Sequence, residues 1–472
     1  MDKDLQARQQ AREMLRVSEA AQKILGRFSQ ERLDAIVKAA ADAFAAHGEE
    51  LARMAVEETG FGNVQDKILK NRFASQRVWE KVKDLRTVGV LNRQDGEKLW
   101  EVGVPVGVIA AIVPSTNPTS TVCYKSMIAL KSGNTVIFSP HPKAVNCTRK
   151  AAEIMAEAAL KAGAPEGCIQ CLDIPAMSGC QELMTAPETR LILATGGPAM
   201  VKAAYSSGKP AIGVGAGNGP AYIHPTADVD HALCSILRSK TFDNGTVCAS
   251  EQSIIVEKSM EQSVKAAAQT KGFYFMTPGE ADVLAALLFR PNGALNPAIV
   301  GKPAEKLAEM AGISVPAGTK ILVAQAGGVG ERYPYSMEKL CPVLGWYAEE
   351  NEDAVLAKCR EILLFEGAGH TFCMHAQDEK AIEKFAMEMP VSRFLVNTPG
   401  ALGGIGDTTG LFPALTLGCG AVGGSSSSNN IGPMDLVNIR RVAWDRQEPS
   451  QNTGWDSGLV DILTAKILEK LK

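Results

Sequence analysis

Apolar positions in the first 85 residues recur at helical spacing. Leu15, Ala21, Leu25 and Phe28 fall near one stripe, and Leu33, Ile36, Val37, Ala40 and Phe44 form a second. Ser29 stands where the second helix would need a cap, because a hydroxyl there accepts from the unpaired amides of the first turn. From Trp100 the pattern changes to the β-branched, Gly- and Pro-punctuated run EVGVPVGVIAAIVP (101–114), which predicts strands. Short apolar segments then alternate with longer helical stretches. Strands are expected at 134–139, 168–174, 190–194 and 211–214, with helices at 148–162 and 199–206. That alternation implies βαβ units around a parallel sheet. A second α/β stretch runs from about 228 to 408, with strands expected at 253–257, 320–324, 371–375 and 394–397. The small, polar segment GCGAVGGSSSSNN (418–430) reads either as a loop packed closely on a neighbour or as a flexible linker.

The C-terminal pattern stands apart. DRQEPSQNTGWDSG (445–458) reads as a linker, and LVDILTAKILEKLK (459–472) as a helix with Leu459, Val460, Leu463, Ile467 and Leu471 on one face. Such a helix has no core of its own. It would dock either on the parent domain or a sister subunit, or on a separate partner such as a microcompartment shell.

Composition narrows the class. At 472 residues the chain is too long for a single core. It has 46% apolar and 21% charged residues, an ordinary globular balance, and its net charge of −3 gives no reason to expect nucleic-acid binding. The longest apolar run, 103–114, is about half of what a bilayer crossing needs, so no membrane span is expected. The N-terminus is polar and unlike a secretory signal, which points to a cytoplasmic protein with reduced thiols. Of eleven cysteines only Cys168 and Cys171 form a CxxC, and no metal site is expected.

Three segments carry candidate chemistry. Cys248 follows the polar loop Asp243-Asn244-Gly245 and precedes an apolar strand. It is either one more core cysteine or a rigidly held nucleophile whose thiolate attacks carbonyls and leaves well as a thioester. Asn117, in VPSTNPTST, is either a turn former before Pro118 or an amide donor to a developing alkoxide. The glycines of AIGVGAGNGPAYI (211–223) lack the G-x-G-x-x-G spacing and precede a strand, so close backbone approach beside a ligand fits better than a dinucleotide fingerprint.

The strings FDNGTVCASEQ, ILATGGPAMVKAAYSSGKPAIGVGAGN, EKLCPVL, GAGHT and LTLGCG, in this order, resemble the CoA-acylating branch of the aldehyde dehydrogenase superfamily. The resemblance covers about residues 10–445. It implies an α/β aldehyde dehydrogenase fold: a Rossmann-like cofactor domain (1–225, with 409–430 returning to it) and an α/β catalytic domain (226–408). A β oligomerisation element (98–108 and 434–446) would support a homo-oligomer, with 447–472 as linker and C-terminal helix. It also implies roles. Cys248 matches the nucleophile, and Asn117 the oxyanion amide beside the Cys248 backbone N–H. Glu338 matches the carboxylate on the nicotinamide ribose, and Thr195, Gly196 and Gly197 the turn at the cofactor diphosphate. Ser139, His141, Ser115 and Thr116 are further candidates for cofactor contact. His370, in GAGHT, is either an aid to CoA deprotonation or a structural histidine bonded to backbone.

Two departures from the hydrolytic relatives matter. Their general-base Glu falls, by alignment on Pro220, at Val214, 34 residues before Cys248. Valine takes no proton, and water needs a base where a thiol does not, so CoA thiolysis is favoured over hydrolysis. Their adenine-ribose Lys and Glu fall at Ser139 and Pro142, which leaves NAD and NADP both open. The expected reaction is reversible oxidation of a short aldehyde to acyl-CoA through a thioester on Cys248. CoA and nicotinamide use overlapping space in the family, which implies ping-pong order. Acetaldehyde is the default substrate. An anionic aldehyde such as succinate semialdehyde or sulfoacetaldehyde is the alternative, held by the serines of 425–428, although no Arg or Lys lies within 418–430. A hydrolytic dehydrogenase and a non-catalytic cargo protein are the rival readings. The location would be the cytoplasm, or a bacterial microcompartment within it.

Overall fold

The computed structural model describes residues 2–446 and 457–471. The N-terminal layer is helical: α1 (Lys3–Leu25), α2 (Gln30–Ala46), α3 (Gly48–Thr59) and α4 (Val64–Arg72). Ser29 caps α2 by accepting from the Arg32 amide, and α2 buries Leu33, Ile36, Val37, Ala40 and Phe44, the stripe that periodicity predicts. The chain leaves α4 through a π-helical turn, Phe73–Arg77, into α5 (Val78–Val82).

The first α/β half follows as β1 (Gly89–Gln94), β2 (Leu99–Pro105), β3 (Val108–Ile112), α6 (Pro118–Lys131), β4 (Thr135–Ser139), α7 (Val145–Lys161), β5 (Ile169–Cys171), α8 (Met177–Thr185), β6 (Thr189–Thr195), α9 (Pro198–Tyr205) and β7 (Ala211–Val214). The strands β5-β4-β3-β6-β7 form one parallel sheet. The chain steps from β3 to β4 on one side and returns to β6 on the other. The crevice at the C-terminal ends of β3 and β6 is therefore a topological switch point, where ligands bind in such sheets. The second half contributes β8 (Pro220–Ile223), α10 (Val229–Thr241), β9 (Ser253–Glu257), β10 (Phe273–Phe275), β11 (Ile321–Gln325), β12 (Val343–Glu349), β13 (Gly369–His375) and β14 (Val391–Val396). They assemble as a parallel sheet in the order β10-β11-β12-β9-β8-β13-β14. The last strand, β15 (Val437–Ala443), pairs antiparallel with β2, and β2 with β1, in a separate three-stranded sheet. Among the described residues no helix is long and apolar enough to cross a membrane.

Some elements differ from the sequence reading. The strand expected at 168–174 narrows to β5, and β1, β10 and β12 appear where none was expected. β1 is mostly exposed, so burial imposes little alternation on it. The linker expected at 445–458 falls largely outside the described residues. The C-terminal helix is Ser457–Lys470, and Ile462 and Leu468 are as exposed as Leu459 and Ile467, so its apolar residues extend beyond the expected single face.

Helix α6 is buried along its whole length. Lys125 within it donates to the Ile112 and Leu193 carbonyls, at 2.8 and 2.9 Å, where β3 and β6 reach the switch point. Burial pushes its ammonium down to about 7. In the unfolded chain the same group titrates near about 10.4. The unfolded state thus binds more protons between those values, and stability rises with pH across that window. Lys125→Met is expected to be more stable than the parent at pH 7 and below, with the gap closing towards pH 10. Denaturant midpoints of both proteins at pH 7, 8.5 and 10 test this; a gap that stays constant would refute it.

Candidate active site

The loop that carries Cys248 begins where α10 ends. Asp243, Asn244 and Gly245 adopt successive left-handed backbone conformations, with φ of 48°, 52° and 76°. Two of these residues are not glycine, so the turn needs to be held. Asp243 does this from a fully buried position. Its Oδ2 accepts from Lys67 Nζ at 2.9 Å, Lys70 Nζ at 2.6 Å and Thr246 Oγ1 at 2.6 Å. Its Oδ1 accepts from the Asn63 amide, and its own amide donates to Asp66 Oδ2. Burial alone would raise the Asp243 carboxyl, but Lys70 and Lys67 outweigh it and hold the group below its ordinary range. Lys70, pushed down to about 8 by burial, also donates to Asn117 Oδ1 at 2.5 Å, and Lys67 to the Thr116 carbonyl at 2.9 Å. One buried carboxylate thus joins α4, the Cys248 loop and the start of α6.

Asn117 is the N-cap position of α6, followed by Pro118 at the first helical position. With Oδ1 taken by Lys70, its amide is fixed in one sense, and Nδ2 makes a 3.2 Å bond to Thr116 Oγ1. Cys248 is half-buried. Burial, then the charges of Glu338 and Cys419, push its thiol up to about 12, while Arg393 acts in the opposite direction. Cys248 thus rests as a thiol.

The glycine-rich segment presses against backbone and side chains of this protein at Gly213, Gly217 and Gly219, with open space at Gly215. A Cβ at Gly217 would lie 1.8 Å from the Cys248 carbonyl oxygen, and one at Gly219 would lie 2.7 Å from that of Thr371. Gly217 N–H donates to Glu338 Oε1 at 3.0 Å, and burial together with Glu366 pushes Glu338 up to about 8. His370 is fully buried. Its Nδ1 meets Thr371 Oγ1 at 2.8 Å and its Nε2 has no partner. Burial and Arg393 keep the ring neutral.

The serine segment is a packed loop. Ser425 and Ser426 donate to the Gly213 and Ala211 carbonyls of β7, so these two hydroxyls are not a free anion cradle. The cation that 418–430 lacks arrives from β14 instead. Arg393 is 2% exposed and makes long, 3.4 Å bonds to Thr371 Oγ1, Asn430 Oδ1 and the Gly369 carbonyl. Sequence reading missed Arg393, and it missed Lys67, Lys70 and the role of Asp243. The signal for the lysines was their spacing of three on α4, which looks like an ordinary solvated face.

The other candidates meet at the switch point. Ser139 ends β4, Ser115 and Thr116 follow β3, and Thr195 ends β6 before Gly196 and Gly197. Thr195 Oγ1 is buried without a partner, and α9 begins at Gly197 with no side-chain cap and open space where a Cβ would be. Pro198 has no N–H and the Met200 and Val201 amides donate to the Gly197 carbonyl, which leaves the dipole of the helix terminus and the orphaned Thr195 hydroxyl facing a glycine turn with room for an anionic diphosphate, so these residues fit a nicotinamide dinucleotide. His141 lies in the exposed turn after β4 and accepts from the Lys143 amide.

The family described as the aldehyde dehydrogenase family matches residues 4–323. The bifunctional aldehyde-alcohol dehydrogenase of Escherichia coli K12 is 48% identical over 429 residues, covering 90% of this chain and 48% of that protein. The chain thus spans about half the length of that relative. The acetylating succinate-semialdehyde dehydrogenase of Clostridium kluyveri is 36% identical over 448 residues, covering 94% of this chain and 98% of that one. The crystal structure of an acetylating aldehyde dehydrogenase from Geobacillus thermoglucosidasius aligns with a TM-score of 0.93 at 48% identity, covering 95% of this chain and 99% of that one.

Two outcomes follow from this geometry. Asp243→Asn leaves Lys67 and Lys70 without a buried counter-charge and is expected to lower the unfolding free energy by about 3–5 kcal/mol. Chemical denaturation checks it, and Asp243→Asn combined with Lys67→Met should recover part of the loss. Because the thiol is raised, alkylation of Cys248 by iodoacetamide in the ligand-free protein, followed by peptide mass spectrometry, should be slow at pH 7. It should climb about tenfold per pH unit until near pH 11. A plateau at pH 8 would show a thiolate poised in advance.

Proposed function

Because the chain belongs to the aldehyde dehydrogenase family, we propose that it is a CoA-acylating member, which reversibly converts a short-chain aldehyde to acyl-CoA with NAD or NADP as hydride acceptor. The observation that carries this reading is Val214. It ends β7 in the segment where hydrolytic relatives hold their base, three residues before the glycine pressed against the Cys248 backbone, and it is buried among apolar neighbours. Water attacking a thioester there would find no carboxylate at that position.

In this reading the Cys248 thiol releases its proton to solvent and its sulfur bonds to the aldehyde carbon as the carbonyl π bond opens. The oxyanion of the adduct is held by Asn117 Nδ2, whose orientation Lys70 sets, and by the Cys248 backbone N–H. Glu338 holds the nicotinamide ribose, Thr195–Gly197 the diphosphate, and Ser139, His141, Ser115 and Thr116 the remaining dinucleotide. When bound, the dinucleotide supplies the hydride acceptor. The product of hydride loss is an acyl-thioester on Cys248, and the CoA sulfur attacks it. The C–S bond to Cys248 breaks, and the proton lost by the CoA thiol ends on the Cys248 sulfur, whose raised thiol favours it; His370, neutral and with an unpartnered ring nitrogen, accepts a hydrogen bond that positions the incoming thiol. The antiparallel β1–β2–β15 sheet is the subunit-contact element of a homo-oligomer. The C-terminal helix exposes Leu459, Leu463 and Ile467 and docks on a sister subunit or on a microcompartment shell.

Reduced-cofactor absorbance with NAD or NADP, acetaldehyde or succinate semialdehyde, and with or without CoA, tests the assignment. Steady turnover is expected only with CoA; equal turnover without it, giving free acid, would overturn the reading. Val214→Glu should introduce CoA-independent release of free acid, measured by chromatography, while the parent releases none.

A further inference from the structure

Arg393 is a charge that the fold buries without giving it a carboxylate. Its hydrogen-bond acceptors are the hydroxyl, amide and carbonyl oxygens of Thr371, Asn430 and Gly369, all neutral and all at the long distance of 3.4 Å. The groups that favour its charge are two thiols, Cys419 and Cys248. Buried charges are ordinarily paired, because desolvation is costly. A guanidinium does not escape that cost by losing its proton, as a buried lysine can.

The packing places this cation against the Cys248 loop. Arg393 stands opposite Thr371 across the β13–β14 pair. Gly369, whose carbonyl it holds, is pressed against Cys419: a Cβ there would lie 1.7 Å from the Cys419 carbonyl oxygen. Thr371 Oγ1, which it also holds, borders Ala249, the residue after Cys248. The place of a Cβ on Gly404 lies 2.7 Å from Ala249 Cβ and 3.9 Å from Thr371 Oγ1. The same oxygen meets His370 Nδ1 at 2.8 Å. Around the Cys248 sulfur, Glu338 and Cys419 oppose a negative charge, and Arg393 favours it. A fixed carboxylate on Arg393 would cancel its field at the sulfur. The missing partner leaves that field available to an anion that forms only in passing.

We propose that Arg393 is a positioning residue for acyl transfer, the counter-charge for the electron pair on the Cys248 sulfur whenever the thioester forms or breaks. The inference rests on the acylating reading for that step. As the CoA sulfur bonds to the thioester carbon, the C–S bond to Cys248 breaks and its electron pair goes to the Cys248 sulfur. That sulfur then takes the proton given up by the CoA thiol. In reverse, the Cys248 sulfur bonds to the acyl carbon and CoA leaves with the pair. Arg393 gives up no proton in either direction. It lowers the energy of the sulfur anion without making the resting cysteine a thiolate.

The test alkylates the ligand-free parent, Arg393→Met and Arg393→Lys with iodoacetamide at pH 9. Cys248 is followed by peptide mass spectrometry, with the exposed Cys234 as internal reference. The rate at Cys248 relative to Cys234 is expected to fall at least about threefold in Arg393→Met. That is less than the loss of thiolate, because a more basic sulfur is also a better nucleophile. Arg393→Lys, which keeps the charge, should stay nearer the parent. An unchanged rate in Arg393→Met overturns the proposal. So does a rise, which would make Arg393 a packing residue whose loss opens the site. Arg393→Gln, which keeps a donor without the charge, gives the same comparison if Arg393→Met does not fold. The transfer step is read separately, as acetylation of Cys248 by acetyl-CoA followed by intact mass. It should slow by a similar factor in Arg393→Met, and an unchanged rate there overturns the role in transfer. A parent that acetyl-CoA does not acylate sinks the acylating reading, while the alkylation comparison still decides whether Arg393 supports the sulfur anion.

Discussion

Asp243 is the residue through which the parts of the site are held in register. Two ammonium groups and a carboxylate lie together out of water, an arrangement that is costly to bury and costlier to break. What it provides is position. The carboxylate fixes a left-handed turn that few side chains adopt, and so sets the path of the chain into Cys248. The same lysines reach the Asn117 side chain and the Thr116 carbonyl, and so set the start of α6. Cys248 and Asn117 come from segments more than a hundred residues apart, and a single oxygen, Asp243 Oδ2, accepts from both bridging lysines. Charge-assisted hydrogen bonds are short and directional, so they fix orientation as well as distance, which suits groups that must be held in a set geometry.

Around that frame the electrostatics keep the site inactive at rest. Burial and two neighbouring groups hold Cys248 as a thiol, Glu338 is raised, and His370 is neutral. A cysteine in this state is poorly reactive towards stray electrophiles. Arg393 is the one buried cation that favours the Cys248 thiolate, and it makes only long bonds to neutral acceptors. The balance therefore favours the thiol, and ionising Cys248 requires a change in charge or water content near Glu338.

The sequence made the layers legible because period and composition report burial. The α2 stripe, the parallel strands β3, β4, β6 and β7, and the strand after the glycine run all fall close to where the pattern places them. It failed at β1, where exposure removes the alternation; at the C-terminus it placed the helix but not the spread of apolar residues past one face. The resemblance to acylating aldehyde dehydrogenases, carried by long strings, is borne out by the comparisons. Long strings identify a family, but they do not say which polar residues meet. Lys67 and Lys70 look like solvated helix charges until the fold buries them, and Arg393 is one arginine in a strand. Gly213, Gly217 and Gly219 were legible as sites of close approach, though what approaches is Val201 and Tyr205 at the first and the Cys248 and Thr371 backbone at the other two, while Gly215 stands open.

Cys248 is supported by two sets of contacts from unrelated parts of the chain. Gly217 approaches the Cys248 carbonyl so closely that no side chain fits, and its amide donates to Glu338 Oε1 at 3.0 Å. Asp243 fixes the turn that leads into Cys248, and Lys70 carries that constraint on to Asn117 Oδ1. A loop held by separate contacts at its turn and at its cysteine has little freedom to shift. That rigidity, rather than charge poised in advance on the sulfur, is what the resting site supplies.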